Sequence, residues 1–307
     1  MIVRPQRLEQ GDTIGVIAPA SPPKQEPLEK GIAFLENLRL RVKTSPQVSK
    51  TYGYLAGTDQ DRLEALHQMF SDPSIKGIFC ACGGFGTSRI ADAVDYDLIR
   101  ENPKVFWGYS DITYLHTAIR QKSGLVTFHG PMLSSDVGTA EFDNLSKKMF
   151  DQLFQAQVLR YTNEISRLVA FSRGEASGEI VGGNLSMLVN SIGGPFEIDT
   201  KDKLLLIEDI GEEPYRIDSF LSQLKMAGKL EQAAGIIVGD FSEAEPKKRE
   251  QSLTIKEVYH HYFSSLDKPV LAGFKIGHCL PHFAIPLGTK GTLSCRTKTL
   301  VIEPGVS

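Results

Sequence analysis

The chain has 307 residues, 41% of them hydrophobic and 23% charged, with a formal net charge of −3. That length admits two domains, and the composition excludes disordered and fibrous classes. The near-balanced charge predicts no general attraction to nucleic acid or to an anionic membrane surface.

The opening Met1-Ile2-Val3-Arg4-Pro5 has no apolar leader, and no later run approaches the ~18 apolar residues of a membrane helix. A cytoplasmic protein is expected. Thr13-Ile14-Gly15-Val16-Ile17-Ala18-Pro19 reads as a short buried strand, followed by a helical pattern from Glu26 to Leu38. Asp59 to Phe70 places Leu63, Leu66, Met69 and Phe70 at helical spacing, and Asp72-Pro73 ends it. Gly77 to Cys82 is a second apolar strand, stopped by Gly83-Gly84-Phe85-Gly86. Another helix leads to the strand Val105 to Tyr109, and a helix from Ile112 to Arg120 follows. Apolar strands separated by helices predict a mostly parallel sheet covered on both faces.

The pattern loosens from Met132 to Arg167, so the boundary is placed there: an N-terminal α/β domain over 1–150, a linker over 151–170 and a C-terminal domain over 171–307. The C-terminal part holds the strands Lys203 to Glu208, Gly235 to Asp240 and Val270 to Ile276, and a helix from Tyr215 to Met226. Its tail, Gly288 to Glu303, alternates in short pieces that suggest β structure. The basic run Lys247-Lys248-Arg249 reads as a solvated loop. The four cysteines, Cys80, Cys82, Cys279 and Cys295, read as reduced, mostly buried small hydrophobes. The C-x-C spacing of the first pair is too tight for a zinc knuckle, and no metal or cofactor is expected.

Val105-Phe106-Trp107-Gly108-Tyr109-Ser110-Asp111-Ile112-Thr113 is the most informative stretch. A serine between a strand and a helix is either an N-cap or a nucleophile lifted clear of the sheet, with helix N–H groups aimed at what it attacks. The stretch departs from G-x-S-x-G at Ile112. A serine nucleophile needs a base, and the base an orienting carboxylate. Of the seven histidines, His278 is the best placed, in the Gly- and Pro-punctuated turn Gly277-His278-Cys279-Leu280-Pro281-His282, with His282 its rival. Glu208 and Asp209 end an apolar strand and are the candidate carboxylates. Neighbouring strand positions face opposite sides, so only one of the two can serve. The loop Gly83 to Gly86 lets backbone approach a ligand and present N–H groups to an anion; beside a serine elbow it serves as half of an oxyanion hole.

Taken together these segments resemble the LD-carboxypeptidases, the serine peptidase group that also contains the microcin-C self-immunity peptidase. The resemblance covers Gly11 to Ser21, Cys82 to Gly86, Gly108 to Asp111 and Phe128-His129-Gly130-Pro131-Met132. It continues through Gly182 to Leu185, Ile207 to Asp209, Gly277-His278-x-x-Pro281 and Ile285 to Gly288. It departs at Ala81-Cys82, where family members usually carry a basic residue.

The resemblance implies a Ser110–Glu208–His278 triad, an oxyanion hole from the N–H groups of Gly84 and Asp111, a β-rich α/β C-terminal domain and a homodimer. His278 is then expected within hydrogen-bond reach of Ser110. The implied reaction is hydrolysis of the L,D-amide to the terminal D-alanine of murein tetrapeptides, during peptidoglycan recycling. The alternative within the same chemistry is cleavage of peptidyl- or aminoacyl-nucleotides, which needs an aromatic platform. Trp107, the one tryptophan, reads as strand core. Arg89, Arg216 or a backbone nest are the candidates for holding the substrate carboxylate.

Overall fold

A computed structural model describes residues 2–247 and 251–307. The strands in chain order begin with β1 (Thr13–Ile17), β2 (Arg41–Thr44), β3 (Ile75–Cys80), β4 (Val105–Gly108) and β5 (Thr127–His129). There follow β6 (Leu159–Tyr161), β7 (Val169–Ala170), β8 (Glu175–Asn184), β9 (Leu204–Ile210), β10 (Gly235–Ser242) and β11 (Val270–Ala272). The last three are β12 (Ile285–Leu287), β13 (Lys290–Ser294) and β14 (Thr299–Ile302).

The chain forms two compact units. The first comprises Met1–Gln157, Leu280–Gly288 and Pro304–Ser307, around a six-stranded sheet ordered β12-β5-β4-β3-β1-β2. From β2 to β5 every pairing is parallel, and only β12 runs antiparallel to its neighbour. Residues of β3, β4 and β5 are almost all buried, as apolar runs covered on both faces must be, whereas the outer strand β2 shows Arg41 and Lys43 to solvent. Chain order reverses between β1 and β3, so the loops leaving β1, β3 and β4 emerge where doubly wound sheets bind ligands.

Trp107 anchors this core. It is fully buried, its indole N–H donates to the Pro131 carbonyl at 2.8 Å, and Phe79, Phe128 and Phe150 lie with ring centres 6.0, 6.0 and 4.6 Å away.

The second unit comprises Val158–Cys279 and Thr289–Glu303, around an eight-stranded mixed sheet ordered β6-β14-β13-β8-β9-β10-β11-β7. Its parallel centre is β8 to β11, and antiparallel pairs extend it on either side. Leu205, Ile207 and Val238 pack on Ile217, Phe220, Leu221 and Leu224 of the helix Pro214–Met226 and on Tyr259 and Phe263 of the helix Ile255–Phe263.

Three expectations need correction. The linker placed at 151–170 carries a helical turn, Met149–Leu153, and the strands β6 and β7. These are outer strands of two or three residues, β7 exposed at both, so they leave little hydrophobic pattern. Residues 280–288 and 304–307, assigned to the C-terminal domain, belong to the first unit because Ile285–Leu287 pairs with β5. The strand expected to reach Ile276 stops at Ala272. All four cysteines are free, but only Cys80 and Cys295 are buried. Of the basic run, Lys248 and Arg249 lie outside the described residues, as does Met1; Lys247 pairs with Glu243 at 3.2 Å. Among the described residues no helix is long and apolar enough to cross a membrane.

Replacing Trp107 by Phe should destabilise the first unit by about 2 kcal/mol or more, from the cavity and the stranded Pro131 carbonyl. Chemical denaturation followed by circular dichroism measures this. An unchanged midpoint would remove Trp107 from its anchoring role.

Candidate active site

In the first unit β4 runs into Tyr109, whose backbone is extended, and then into Ser110 at φ +63°. A non-glycine residue there is strained by about 1–2 kcal/mol and persists only where its surroundings hold it. A helical turn, Ser110–Ile112, and the helix Thr113–Ser123 start directly at the serine. Ser110 is half-buried, between the fully buried strand and the solvent. The N–H groups of the first helical turn carry partial positive charge.

The elbow is braced from behind. His116 is buried, and its Nε2 lies 2.8 Å from the Gly108 carbonyl oxygen. Burial lowers its pKa to about 3, so the ring is neutral, and because a carbonyl only accepts, Nε2 carries the proton. The Tyr109 hydroxyl donates to Asp136 at 2.8 Å.

The glycine loop meets the elbow closely. A Cβ on Gly83 would stand 2.9 Å from the Ser110 Cβ and 3.0 Å from its Oγ, so a side chain is excluded there. Gly84 has φ +108°, and a Cβ on it would come 2.2 Å from the Ser21 Oγ. Ser21, in the loop after β1, accepts the Phe85 N–H at 3.2 Å and donates its own N–H to the Gly83 carbonyl at 3.2 Å. Arg62 is fully buried and donates to the carbonyls of Pro19 and Gly86, each at 2.7 Å. Asp111 is buried, which raises its pKa, and its carboxylate accepts the Thr87 N–H at 2.9 Å.

In the second unit Glu208 is fully buried near the end of β9, and its Oε2 lies 2.8 Å from the Nδ1 of His278. A carboxylate accepts, so Nδ1 carries the proton and Nε2 is the basic nitrogen. The side chain of His278 is 13% exposed. The preceding residue must be glycine: Gly277 has φ +116°, and a Cβ on it would stand 2.4 Å from the Glu208 Oε2. The Ser242 hydroxyl holds the His278 carbonyl, which fixes the turn.

Asp209 faces the other way, as strand alternation requires. It accepts from the Asn184 side-chain amide at 2.9 Å, the Ser186 N–H at 2.8 Å and the Ile210 N–H at 2.9 Å. It therefore ties down the start of the helix Leu185–Asn190 and does not serve His278. Burial first, and then the neighbouring Glu208, raise its pKa to about 6.

The structure thus joins Glu208 to His278 within the second unit, and places Ser110, Gly84 and Asp111 together in the first. His282 is fully buried in the first unit, its ring 4.8 Å from that of Tyr109 and 5.5 Å from that of His129. His260 and His261 are exposed, and His67 accepts the Asp95 N–H at 2.9 Å. Both candidate carboxylate clamps have acidic partners: Arg89 grips Asp59 through two nitrogens at 2.8–3.1 Å, and Arg216 pairs with Glu212 at 3.2 Å. Among the described residues no three His, Cys, Asp or Glu side chains cluster as metal ligands would. Sequence reading missed Ser21, Arg62, Thr87 and the bracing role of His116. Only Arg62 left a signal, because its helical position falls on the buried face with Leu66.

The raised pKa of Asp209 has a sign that can be checked. The folded state binds the proton more tightly than the unfolded state, whose pKa is near 3.8. Stability from this group is present below about pH 4 and is lost as pH rises to about 6. The stability of the wild type relative to Asp209→Asn should fall over that window by on the order of 2–3 kcal/mol. Urea midpoints of both proteins at pH 4 and pH 7 measure it, and a constant difference would contradict the shift.

Comparison with known proteins identifies the family. Residues 14–130 match the model described as LD-carboxypeptidase N-terminal domain, and residues 177–293 the LD-carboxypeptidase C-terminal domain. A probable murein peptide carboxypeptidase of Bacillus subtilis is 55% identical over 304 residues, covering 99% of this chain and 95% of its own. The crystal structure of muramoyltetrapeptide carboxypeptidase from Oxalobacter formigenes superposes with a TM-score of 0.86 at 26% identity, covering 96% of this chain and all of that one. MccF in complex with glutamyl sulfamoyl guanosine superposes with a TM-score of 0.90 at 25% identity, covering 99% of each chain. With both domain models matched in order and a relative more than half identical across nearly its whole length, the chain belongs to the LD-carboxypeptidase family, peptidase group S66.

Proposed function

We propose that this protein is a serine LD-carboxypeptidase that hydrolyses the amide joining the L-centre of the diamino acid to the terminal D-alanine of murein tetrapeptides. The observation that carries the chemistry is the 2.8 Å bond from the buried Glu208 to Nδ1 of His278, which leaves Nε2 as the base. Ser110 Oγ attacks the scissile carbonyl and passes its proton to His278 Nε2. The oxyanion accepts from the N–H groups of Gly84 and Asp111. His278 then protonates the amine of D-alanine, which departs and leaves an acyl ester on Ser110. Water attacks that ester by the same steps in reverse, and Ser110 is restored. Murein peptides are the substrate class because relatives along the whole chain carry that specificity in their names. The same reading places the enzyme in the cytoplasm, acting as a homodimer in peptidoglycan recycling. Cleavage of peptidyl-nucleotides is the weaker alternative, since Trp107 is fully buried and offers no platform for a base.

Purified protein incubated with murein tetrapeptide should release D-alanine, and with a peptidyl-adenylate should release little, both followed by mass spectrometry. Ser110→Ala and His278→Ala should each lower turnover by ~10⁴-fold or more. Ser110→Gly should be equally inactive yet more stable by about 1 kcal/mol, because glycine relieves the elbow strain. Wild-type turnover in Ser110→Ala would overturn the role of Ser110 as nucleophile.

Exhaustive dialysis against EDTA should leave activity intact, since imidazole activates the hydroxyl. Activity lost on dialysis and recovered only with zinc would overturn the mechanism.

A further inference from the structure

The two loops proposed to supply oxyanion donors leave adjacent parallel strands, with Ile78 beside Phe106 and Phe79 beside Trp107. Parallel pairing aligns the strands but does not orient the peptide planes beyond their ends. There the loops are held by contacts from Thr87 and Ser21, through both backbone and side chain. Thr87, fully buried just after the glycine loop, makes two bonds to one residue of the elbow. Its N–H donates to the Asp111 carboxylate at 2.9 Å, and its hydroxyl donates to the Asp111 carbonyl at 2.6 Å. Asp111 is thereby held at both its side chain and its carbonyl, which fixes its Cα and so the place of the nitrogen attached to it. Ser21 acts on the opposite flank. Its hydroxyl accepts the Phe85 N–H and its backbone N–H donates to the Gly83 carbonyl, so it grips Gly84 from both neighbouring peptides.

We infer that Thr87 and Ser21 are positioning residues that aim the N–H groups of Asp111 and Gly84 at one point. The inference rests on the serine peptidase reading proposed above. A purely structural account has to explain why a carboxylate is buried at the elbow at all. An apolar pair would fill the space without the desolvation cost, but it would not fix a peptide plane. Preorganised donors matter most in the transition state, when charge develops on the carbonyl oxygen, and losing one typically costs about 10²–10³ in rate. A misaimed donor should cost somewhat less.

The test uses the full chain and murein tetrapeptide. Thr87→Val removes the hydroxyl at nearly constant volume, Thr87→Ser restores it, and Ser21→Ala removes the hydroxyl grip on the Phe85 N–H at a half-buried site while keeping the backbone bond to Gly83. Thr87→Val and Ser21→Ala should each lower kcat about 10- to 100-fold with KM within about 3-fold, while Thr87→Ser stays within about 3-fold of wild type. Inhibition by a peptide aldehyde ending in the diamino acid, which forms a tetrahedral adduct on serine, should weaken by the same factor as kcat. If Thr87→Val fails to fold, Ser21→Ala carries the test alone. Wild-type kcat in the folded variants, with turnover abolished in Ser110→Ala, overturns the positioning role and leaves the serine reading intact. Wild-type turnover in Ser110→Ala overturns both.

Discussion

Polar groups buried behind the ends of parallel strands must find partners inside the protein, and that requirement shapes both units. A buried donor or acceptor left unmade costs about 1–3 kcal/mol, more if charged. In the first unit the requirement draws Arg62 to the carbonyls of Pro19 and Gly86, Thr87 to Asp111 and His116 to Gly108. In the second it draws Glu208 to His278 and Asp209 to Asn184 and Ser186. Each pairing gives a buried group a partner, and those of Arg62, Thr87 and Glu208 also hold residues beyond the ends of the strands. These polar contacts tie the candidate catalytic loops to the strands beneath them.

The elbow shows how strain is held. Ser110 sits at φ +63° between a fully buried strand and a helix. The strand anchors its N-terminal side through Trp107, whose ring lies among three phenylalanines. On the C-terminal side Asp111 is bonded twice to Thr87. With both flanks fixed, the intervening residue has no relaxed conformation to fall into. The absence of a side chain at Gly83 leaves room for the hydroxyl.

Glu208 and Asp209 divide the work of adjacent carboxylates. Strand alternation sends one to an imidazole and the other to a helix start. Burial first, and then the nearness of Glu208, raise the pKa of Asp209, which is part of the cost of placing two acids side by side in a buried strand. A separate cost falls on position 277, where only glycine fits against the carboxylate.

Much of this was legible in the residues alone. The apolar runs of β1, β3, β4 and β10 marked a parallel α/β core, since strands covered on both faces have no polar side to show. The Gly108-Tyr109-Ser110 turn and the Gly277-His278 turn announced themselves through glycines beside chemically active side chains. The short outer strands β6 and β7 were not legible, because two or three residues are too few to show a period. The membership of 280–288 in the first unit was hidden as well, since strand pairing across such a separation leaves no local mark. Sequence therefore determined which residues have the chemistry and the local backbone to act: Ser110, the pair Glu208 and Asp209, the rivals His278 and His282, and the glycines beside them. Tertiary structure alone decided that Glu208, and not Asp209, meets His278, that His282 is core, and that Ser21, Arg62 and Thr87 hold the loops. The reason is physical: periodicity and turn propensity act over a few residues, whereas satisfying a buried polar group depends on what the fold brings beside it.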